Sequence, residues 1–267
     1  NPEMVPRVVR WAREVGLDAS VDLIYGTPGE SIDDWRTSLE AAIALNPDHI
    51  STYALVIEEG TKMWAEVKRG KLPMPDPDDE ATKYEIADQM LTEAGFAWYE
   101  ISNWARLEPG ESAGTTKLKH ASKHNLAYWF DWDWWGTGPG AHSHVGNLRW
   151  WNRKHPRAWA DALHSGDPQL GDSAASSVVS LDHAPASSPA HAGEVLDAED
   201  RALEAVLLRI RTADGIPVSQ IDATVRDRIP ALVAEKLIDE DAAGRGIIKL
   251  TLRGRLLADY VTRELTV

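Results

Sequence analysis

Between residues 19 and 102 short apolar runs alternate with helical patterns, and this alternation restricts the fold more than any other feature of the chain. Residues 19 to 25, Ala-Ser-Val-Asp-Leu-Ile-Tyr, lie between Gly16 and Gly26 and read as a buried strand interrupted by one carboxylate, Asp22. Thr27-Pro-Gly-Glu-Ser31 is a turn, and Ser31 with Asp34 makes a helix-start pair before Trp35, Leu39, Ala42 and Ile43 recur at helical spacing. Asn46-Pro47 stops that helix. His49 to Val56 then reads as a second strand and Gly60 to Arg69 as a short helix. Asp76-Pro-Asp-Asp-Glu80 loads negative charge onto the start of the next helix, whose Tyr84, Ala87, Met90 and Leu91 face inward until Gly95. Trp98 to Ser102 is a third strand. Ahead of all this the chain opens at Asn1 into an amphipathic helix (Val5, Val8, Val9, Ala12), which suggests a fragment whose upstream half is missing.

Strands alternating with helices indicate βαβ units and a parallel sheet covered on both faces. Three such units with no closing partner predict an α/β fold, the C-terminal half of a partial βα barrel. Chemistry in such barrels sits on the loops after the strands. The candidates are therefore Asp22 with the Gly26 to Glu30 loop, Glu58 and Glu59, and Asn103. Leu148 to Asn152 reads as a strand and Pro156 to His164 as a helix. Residues 171 to 193, rich in Ser, Ala, Pro and Gly, read as a linker or disordered insertion, with His183 and His191 as solvated groups. Helices at Glu199 to Arg211 and Ile229 to Leu237, a strand at Ile247 to Leu252 and a last helix around Leu256 to Val261 resemble a winged-helix module. The expected domains are 1–165, a 166–195 linker, and a small winged-helix-like α+β domain at 196–267.

The stretch from His124 to His144 concentrates the unusual chemistry, with three of the chain's nine histidines and four of its twelve tryptophans. Exposed indole rings are costly, so they are either buried in a packed hairpin or offered to a flat apolar ligand. His120 and His124 lie four apart and His142 and His144 two apart. Four converging imidazoles could bind zinc in a hydrolase, whereas one imidazole beside Tyr128 and Trp129 suits an axial contact to a haem. Asp22, for its part, either satisfies neighbouring backbone or holds a polar ligand at the barrel mouth.

The net charge of -14 argues against nucleic acid and anionic membrane as partners. No apolar run approaches a membrane span and no basic-then-apolar leader is visible, so a cytoplasmic protein is expected, with at most peripheral membrane contact. The chain has no cysteine, which excludes disulfides, thiolate-bound zinc and any iron-sulfur cluster held by its own thiolates.

Five ordered motifs, Asp22-Leu-Ile-Tyr-Gly-Thr-Pro-Gly-Glu-Ser31, Tyr53-Ala-Leu-Val-Ile-Glu58, His124-Asn-Leu-Ala-Tyr-Trp129, Gly138-Pro-Gly-Ala-His-Ser143 and Leu250-Thr-Leu-Arg-Gly-Arg-Leu-Leu257, together resemble the HemW family of haem chaperones. That family belongs to the radical S-adenosylmethionine proteins and is related to oxygen-independent coproporphyrinogen III oxidase. The resemblance implies a partial barrel binding a [4Fe-4S] cluster and S-adenosylmethionine, followed by a HemN-type C-terminal domain. It implies that Asp22 contacts S-adenosylmethionine, with Ala54 near the nucleotide. It also implies that His124 contacts haem iron within a haem motif completed by Asn125, Tyr128 and Trp129. Haem would be passed to respiratory acceptor proteins. The alternatives are the oxidase, which decarboxylates coproporphyrinogen, and the metal-dependent hydrolase. The family's three closely spaced cluster cysteines are absent here, so this chain cannot ligate the cluster.

Overall fold

The computed structural model describes residues 3–165 and 189–266. The chain divides into two compact units, Asn1–Leu126 with Arg209–Val267, and Ala127–Leu208. The first unit opens with α1 (Met4–Glu14), β1 (Ser20–Tyr25), α2 (Ile32–Ala44), β2 (His49–Ala54), α3 (Lys62–Lys68), α4 (Pro77–Glu93), β3 (Phe96–Glu100) and β4 (Asn103–Arg106). Helix α5 (Lys123–Trp129) runs through the division. The second unit continues with β5 (His142–Val145), β6 (Leu148–Asn152), α6 (Pro156–Ser165), β7 (Ala190–Val195) and α7 (Ala198–Arg209). The remainder, β8 (Ile216–Pro217), α8 (Ile229–Ala234), α9 (Glu240–Gly244), β9 (Ile247–Ile248), α10 (Leu252–Leu256) and α11 (Ala258–Glu264), belongs again to the first unit. No helix of the described residues is long and apolar enough to cross a membrane.

The helix starts follow their sequence signals. Ser31 and Asp34 form a reciprocal capping box, the Asp34 N–H donating to Ser31 Oγ at 3.1 Å and the Ser31 N–H to Asp34 Oδ2 at 3.0 Å. Asp76 caps α4 ahead of Pro77. Strands β1 and β2 pair in parallel as expected. The sheet order, however, is β1-β2-β4-β3, with β4 antiparallel to both neighbours, so the sheet is mixed and not purely parallel. The reason is spacing: only Ile101 and Ser102 separate β3 from β4, far too few residues for a parallel crossover.

Helices α2 and α4 cover one face of this sheet. Trp35 and Leu39, with Tyr84, Ala87 and Leu91, pack on Tyr25, Ile50, Phe96 and Trp104. The expected cover on both faces is not what is seen: Ser20, Asp22 and Ile24 on the other face of β1 are exposed. The C-terminal residues add to the same unit and do not form the separate 196–267 domain expected. The Ala213 N–H donates to the Tyr99 carbonyl at 2.8 Å and the Ile101 N–H to the Arg211 carbonyl at 3.1 Å. Arg255 grips Asp88 of α4 through two bonds of 2.8 and 3.0 Å, its guanidinium lying 4.3 Å from the Trp98 ring. Trp104 Nε1 donates to the same carboxylate at 3.0 Å. The expected strand from Ile247 shrinks to Ile247–Ile248, because Thr251 caps α10 and turns the chain into a helix. A Cβ on Gly254 would stand 1.9 Å from the Leu237 carbonyl oxygen, so the backbone approach there requires glycine.

In the second unit β5, β6 and β7 form an antiparallel sheet. The expected linker overlaps it. Residues 166–188, His183 included, lie outside the described residues, but Ala190–Val195 is β7 and His191 is a strand residue, not a solvated tract. Its small side chains are the physical reason: Gly193 lies opposite Trp150, and a Cβ there would meet the Arg149 carbonyl oxygen at 2.8 Å.

Asp88→Ala should lower stability by about 3–5 kcal/mol in urea unfolding, because it strands a nearly buried guanidinium and an indole N–H. A loss below about 1 kcal/mol would put the pair in the class of solvated surface bridges.

Candidate functional site

The parallel register pairs Ser20 with His49, Asp22 with Ser51 and Ile24 with Tyr53. Since alternate residues share a face, these side chains line the uncovered side of the sheet. There all but Ile24 border a cleft of about 510 Å³, lined also by residues 119–123 and Asn125. His49 is buried, with Nδ1 2.9 Å from Ser20 Oγ and Nε2 2.8 Å from the Tyr99 hydroxyl. Burial lowers its pKa from 6.5 to about 4 against the opposing pull of Asp22. It is therefore a neutral imidazole at neutral pH, donating through one ring nitrogen and accepting at the other. Burial, and then the charge of Glu100, raise the pKa of Tyr99, so it remains a phenol.

A second buried chain of polar groups runs from Ser51, whose hydroxyl donates to Asn103 Oδ1 at 2.6 Å, through Asn103 Nδ2 to Glu100 Oε1. Asn125 Nδ2 reaches the same carboxylate oxygen at 3.4 Å. The Ser122 N–H donates to the Tyr99 hydroxyl at 3.1 Å and the Asn125 N–H to Ser122 Oγ at 3.3 Å. The start of α5 is thereby tied to the end of β3. His124, in the first turn of that helix, is exposed. Further along α5, Tyr128 is exposed and Trp129 half-buried. Tyr128 stands edge-on to Trp134 in the second unit, at 4.8 Å between ring centres.

Asp22 corrects one expectation: it is exposed to the cleft, not a buried acid, because nothing described covers that face of β1. Ala54 lies on the opposite face, paired with Tyr25 and packed against the core, and does not border the cleft. Glu58 and Glu59 are exposed, and Asn103 is buried in the polar chain above.

The turn from Gly26 to Glu30 depends on a residue the sequence reading missed. Lys83 is fully buried, with Nζ 3.1 Å from Glu30 Oε2, 2.7 Å from Asp79 Oδ2 and donating to the Glu30 carbonyl at 2.9 Å. Burial alone would lower its pKa, but the bonds to Asp79 and Glu30 outweigh it and raise the value. Glu30 Oε2 in turn accepts from the Gly26 N–H at 2.8 Å. The signal was available: Lys83 lies on the same stripe of α4 as Tyr84 and Ala87.

The four histidines do not make the tetrahedral zinc site weighed from their spacing. His120 sits between carboxylates, Nδ1 2.9 Å from Asp18 Oδ2 and Nε2 2.8 Å from Glu108 Oε1. In the second unit His144 is buried, with Nε2 2.9 Å from the Gly146 carbonyl and Nδ1 3.2 Å from Asp131, whose other oxygen bonds Arg201 at 2.6 Å. His142 is exposed and stacked on Trp151 at 5.6 Å. Among the described residues, the metal-competent side chains that do gather are Asp18, Asp48 and His120. With no cysteine, the chain's residues do not fit a [4Fe-4S] cluster.

No family model matches the chain. Heme chaperone HemW of Mycobacterium tuberculosis (strain ATCC 25618 / H37Rv) is 43% identical over 246 residues, covering 92% of this chain and 54% of that protein. Heme chaperone HemW of Bacillus subtilis (strain 168) is 36% identical over 52% of this chain and 34% of its own length. The mitochondrial radical S-adenosyl methionine domain-containing protein 1 of Danio rerio is 38% identical over 46% of this chain and 25% of its own. The chain spans about half the length of the Mycobacterium relative. Among solved structures, coproporphyrinogen III oxidase (HemN) from Escherichia coli, described as a radical SAM enzyme, matches with a TM-score of 0.69 at 18% identity, over 100% of this chain and 59% of that one. That likeness establishes a shared fold alone.

The two cleft histidines should titrate on opposite sides of 6.5. For His120, burial lowers the pKa, but the bonds to Glu108 and Asp18 outweigh it and the net shift is upward. Its contribution to stability is thus complete at low pH and lost as pH rises through the folded value. His49, with its pKa near 4, contributes fully above 6.5 and loses that contribution as pH falls from 6.5 toward 4. NMR titration of the ring protons in chelator-treated buffer should show His49 still neutral at pH 5.5 and His120 still charged at pH 6.5. The reverse order would refute both assignments.

Proposed function

We propose that this chain, homologous over 92% of its length to proteins named heme chaperone HemW, is the haem-holding portion of a cytoplasmic haem chaperone that hands haem to respiratory acceptor proteins. The observation that carries the reading is His124: an exposed imidazole in the first turn of α5, ahead of Tyr128 and Trp129, with its neighbour Asn125 fastened to Glu100. An imidazole with an anchored backbone can take an axial position on haem iron, and aromatic side chains suit the faces of a macrocycle. Haem, when bound, supplies the iron; the chain supplies the ligand, its orientation and the apolar surroundings.

Asp22 is the contact proposed for S-adenosylmethionine. Its exposed carboxylate on the cleft can accept from hydroxyl or ammonium groups, with Ser51 and Tyr53 beside it. Ala54 offers no side chain to the same face. A [4Fe-4S] cluster enters the reading only through ligands from outside these residues, and no step here runs through it. The second reading, an oxygen-independent coproporphyrinogen III oxidase, has the fold likeness in its favour; decarboxylation of coproporphyrinogen by the longer, cluster-bearing protein would select it.

Titrating haem into the chain should give a shifted Soret band, and His124→Ala should weaken binding at least about tenfold, the loss of roughly 1.4 kcal/mol of iron ligation. His142→Ala should leave it unchanged. An identical band and affinity in His124→Ala would remove His124 from the role.

A further inference from the structure

Asp18 precedes β1, Asp48 precedes β2, and His120 lies on the segment between β4 and α5. Three stretches remote in sequence thus bring one donor atom each to within 4.8 Å of one another at the edge of the cleft. We propose that Asp18, Asp48 and His120 form a binding site for a divalent transition-metal ion, with Glu108 as the residue that orients the imidazole. The proposal is independent of the haem reading.

A simple ion-pair network accounts for only part of this arrangement. An imidazolium held between Asp18 and Glu108 uses both ring nitrogens, at 2.9 and 2.8 Å. It makes no use of Asp48, a third carboxylate at the same point that bonds neither nitrogen. Asp48 is also fixed there: its Oδ2 accepts from the Ala19 N–H at 2.8 Å while its own N–H donates to the Ala19 carbonyl at 2.9 Å. A cation in place of the proton on Nδ1 brings Asp18, Asp48 and His120 into one coordination shell. Nε2–H then keeps its bond to Glu108, the carboxylate–histidine–metal relay that sets ring orientation and basicity in metal sites. His120 is 8% exposed and so is a fixed donor, whereas the Asp18 side chain, already at Nδ1, is 69% exposed. Bonds of about 2.0–2.2 Å place donors ~3–3.5 Å apart, a spacing the Asp18–His120 pair has already.

One imidazole nitrogen and two carboxylate oxygens suit Zn²⁺, Mn²⁺ or Fe²⁺ better than an all-oxygen ion such as Ca²⁺. Three protein ligands would leave coordination positions for water or a small anionic ligand, as in open and not closed metal sites.

The test is calorimetric titration of the chelator-treated chain with ZnCl₂, repeated with CoCl₂ while visible absorption is followed. One saturable site is expected, with cobalt d–d bands that are lost in Asp18→Asn and in Asp48→Asn. Glu108→Gln should weaken zinc about 10- to 100-fold, and His124→Ala should leave both ions unaffected. Asp18→Asn changes an exposed side chain, so it reads the site without endangering the fold. Absence of saturable binding, or zinc affinity unchanged in both aspartate variants, would overturn the proposal and leave an ion-pair network only.

Discussion

The fixed register of β1 on β2 is the constraint on which the rest of the first unit depends. It sends Leu23 and Tyr25 with Ile50 to the helices and Ser20 and Asp22 with His49 and Ser51 to the cleft. A slip of one residue would exchange the two sets, burying Asp22 among indole rings and exposing the tyrosine and isoleucine. The apolar face is locked by Trp35, whose Nε1 donates to the Lys83 carbonyl at 2.8 Å and so joins α2 to α4 over the sheet. On the polar face His49 and Ser51 are themselves buried and bonded, which leaves Asp22 as the exposed acid.

Much of this was legible in the residues. Capping pairs, the proline stops and the 3.6-residue stripes placed α2, α4, β1 and β2 within a residue or two, since each is decided by local chemistry. What the sequence did not disclose was decided by partners distant along the chain. Nothing local distinguishes Asn103-Trp-Ala-Arg106 as an antiparallel strand slotted between β2 and β3. The 190–195 segment has the composition of a linker because Gly193 and Ala192 lie opposite Trp150 and Trp151, and at Gly193 no side chain fits. His49, set one residue past the Pro-Asp break, looked like the mere start of a strand, and its contact with Tyr99 spans fifty positions.

The histidines illustrate the limit of reading spacing alone. Four residues of one type, at intervals that suit a shared ligand, turn out to occupy unlike surroundings. His120 is clasped by acids, His144 is locked beside Arg201 under an indole, His142 is stacked on a tryptophan, and His124 faces solvent. The resemblance to haem chaperones singled out the last of these, and its exposure distinguishes it physically from His120 and His144. Ser122 and Asn125 tie the helix to Tyr99 and Glu100 respectively, through bonds that a motif cannot reveal.

The ammonium inside α4 also makes the choice of substitution matter. Lys83 exchanged for methionine would surrender three polar bonds together with the desolvation of the cation, a trade that proteins often tolerate. Loss of the Glu30 carboxylate would instead leave the ammonium to Asp79 and the Glu30 carbonyl, and would take from the Gly26 N–H its acceptor. The carboxylate of Glu30 thus serves two masters, the ammonium below it and the turn above, and a change at either end of the clamp is felt at Gly26.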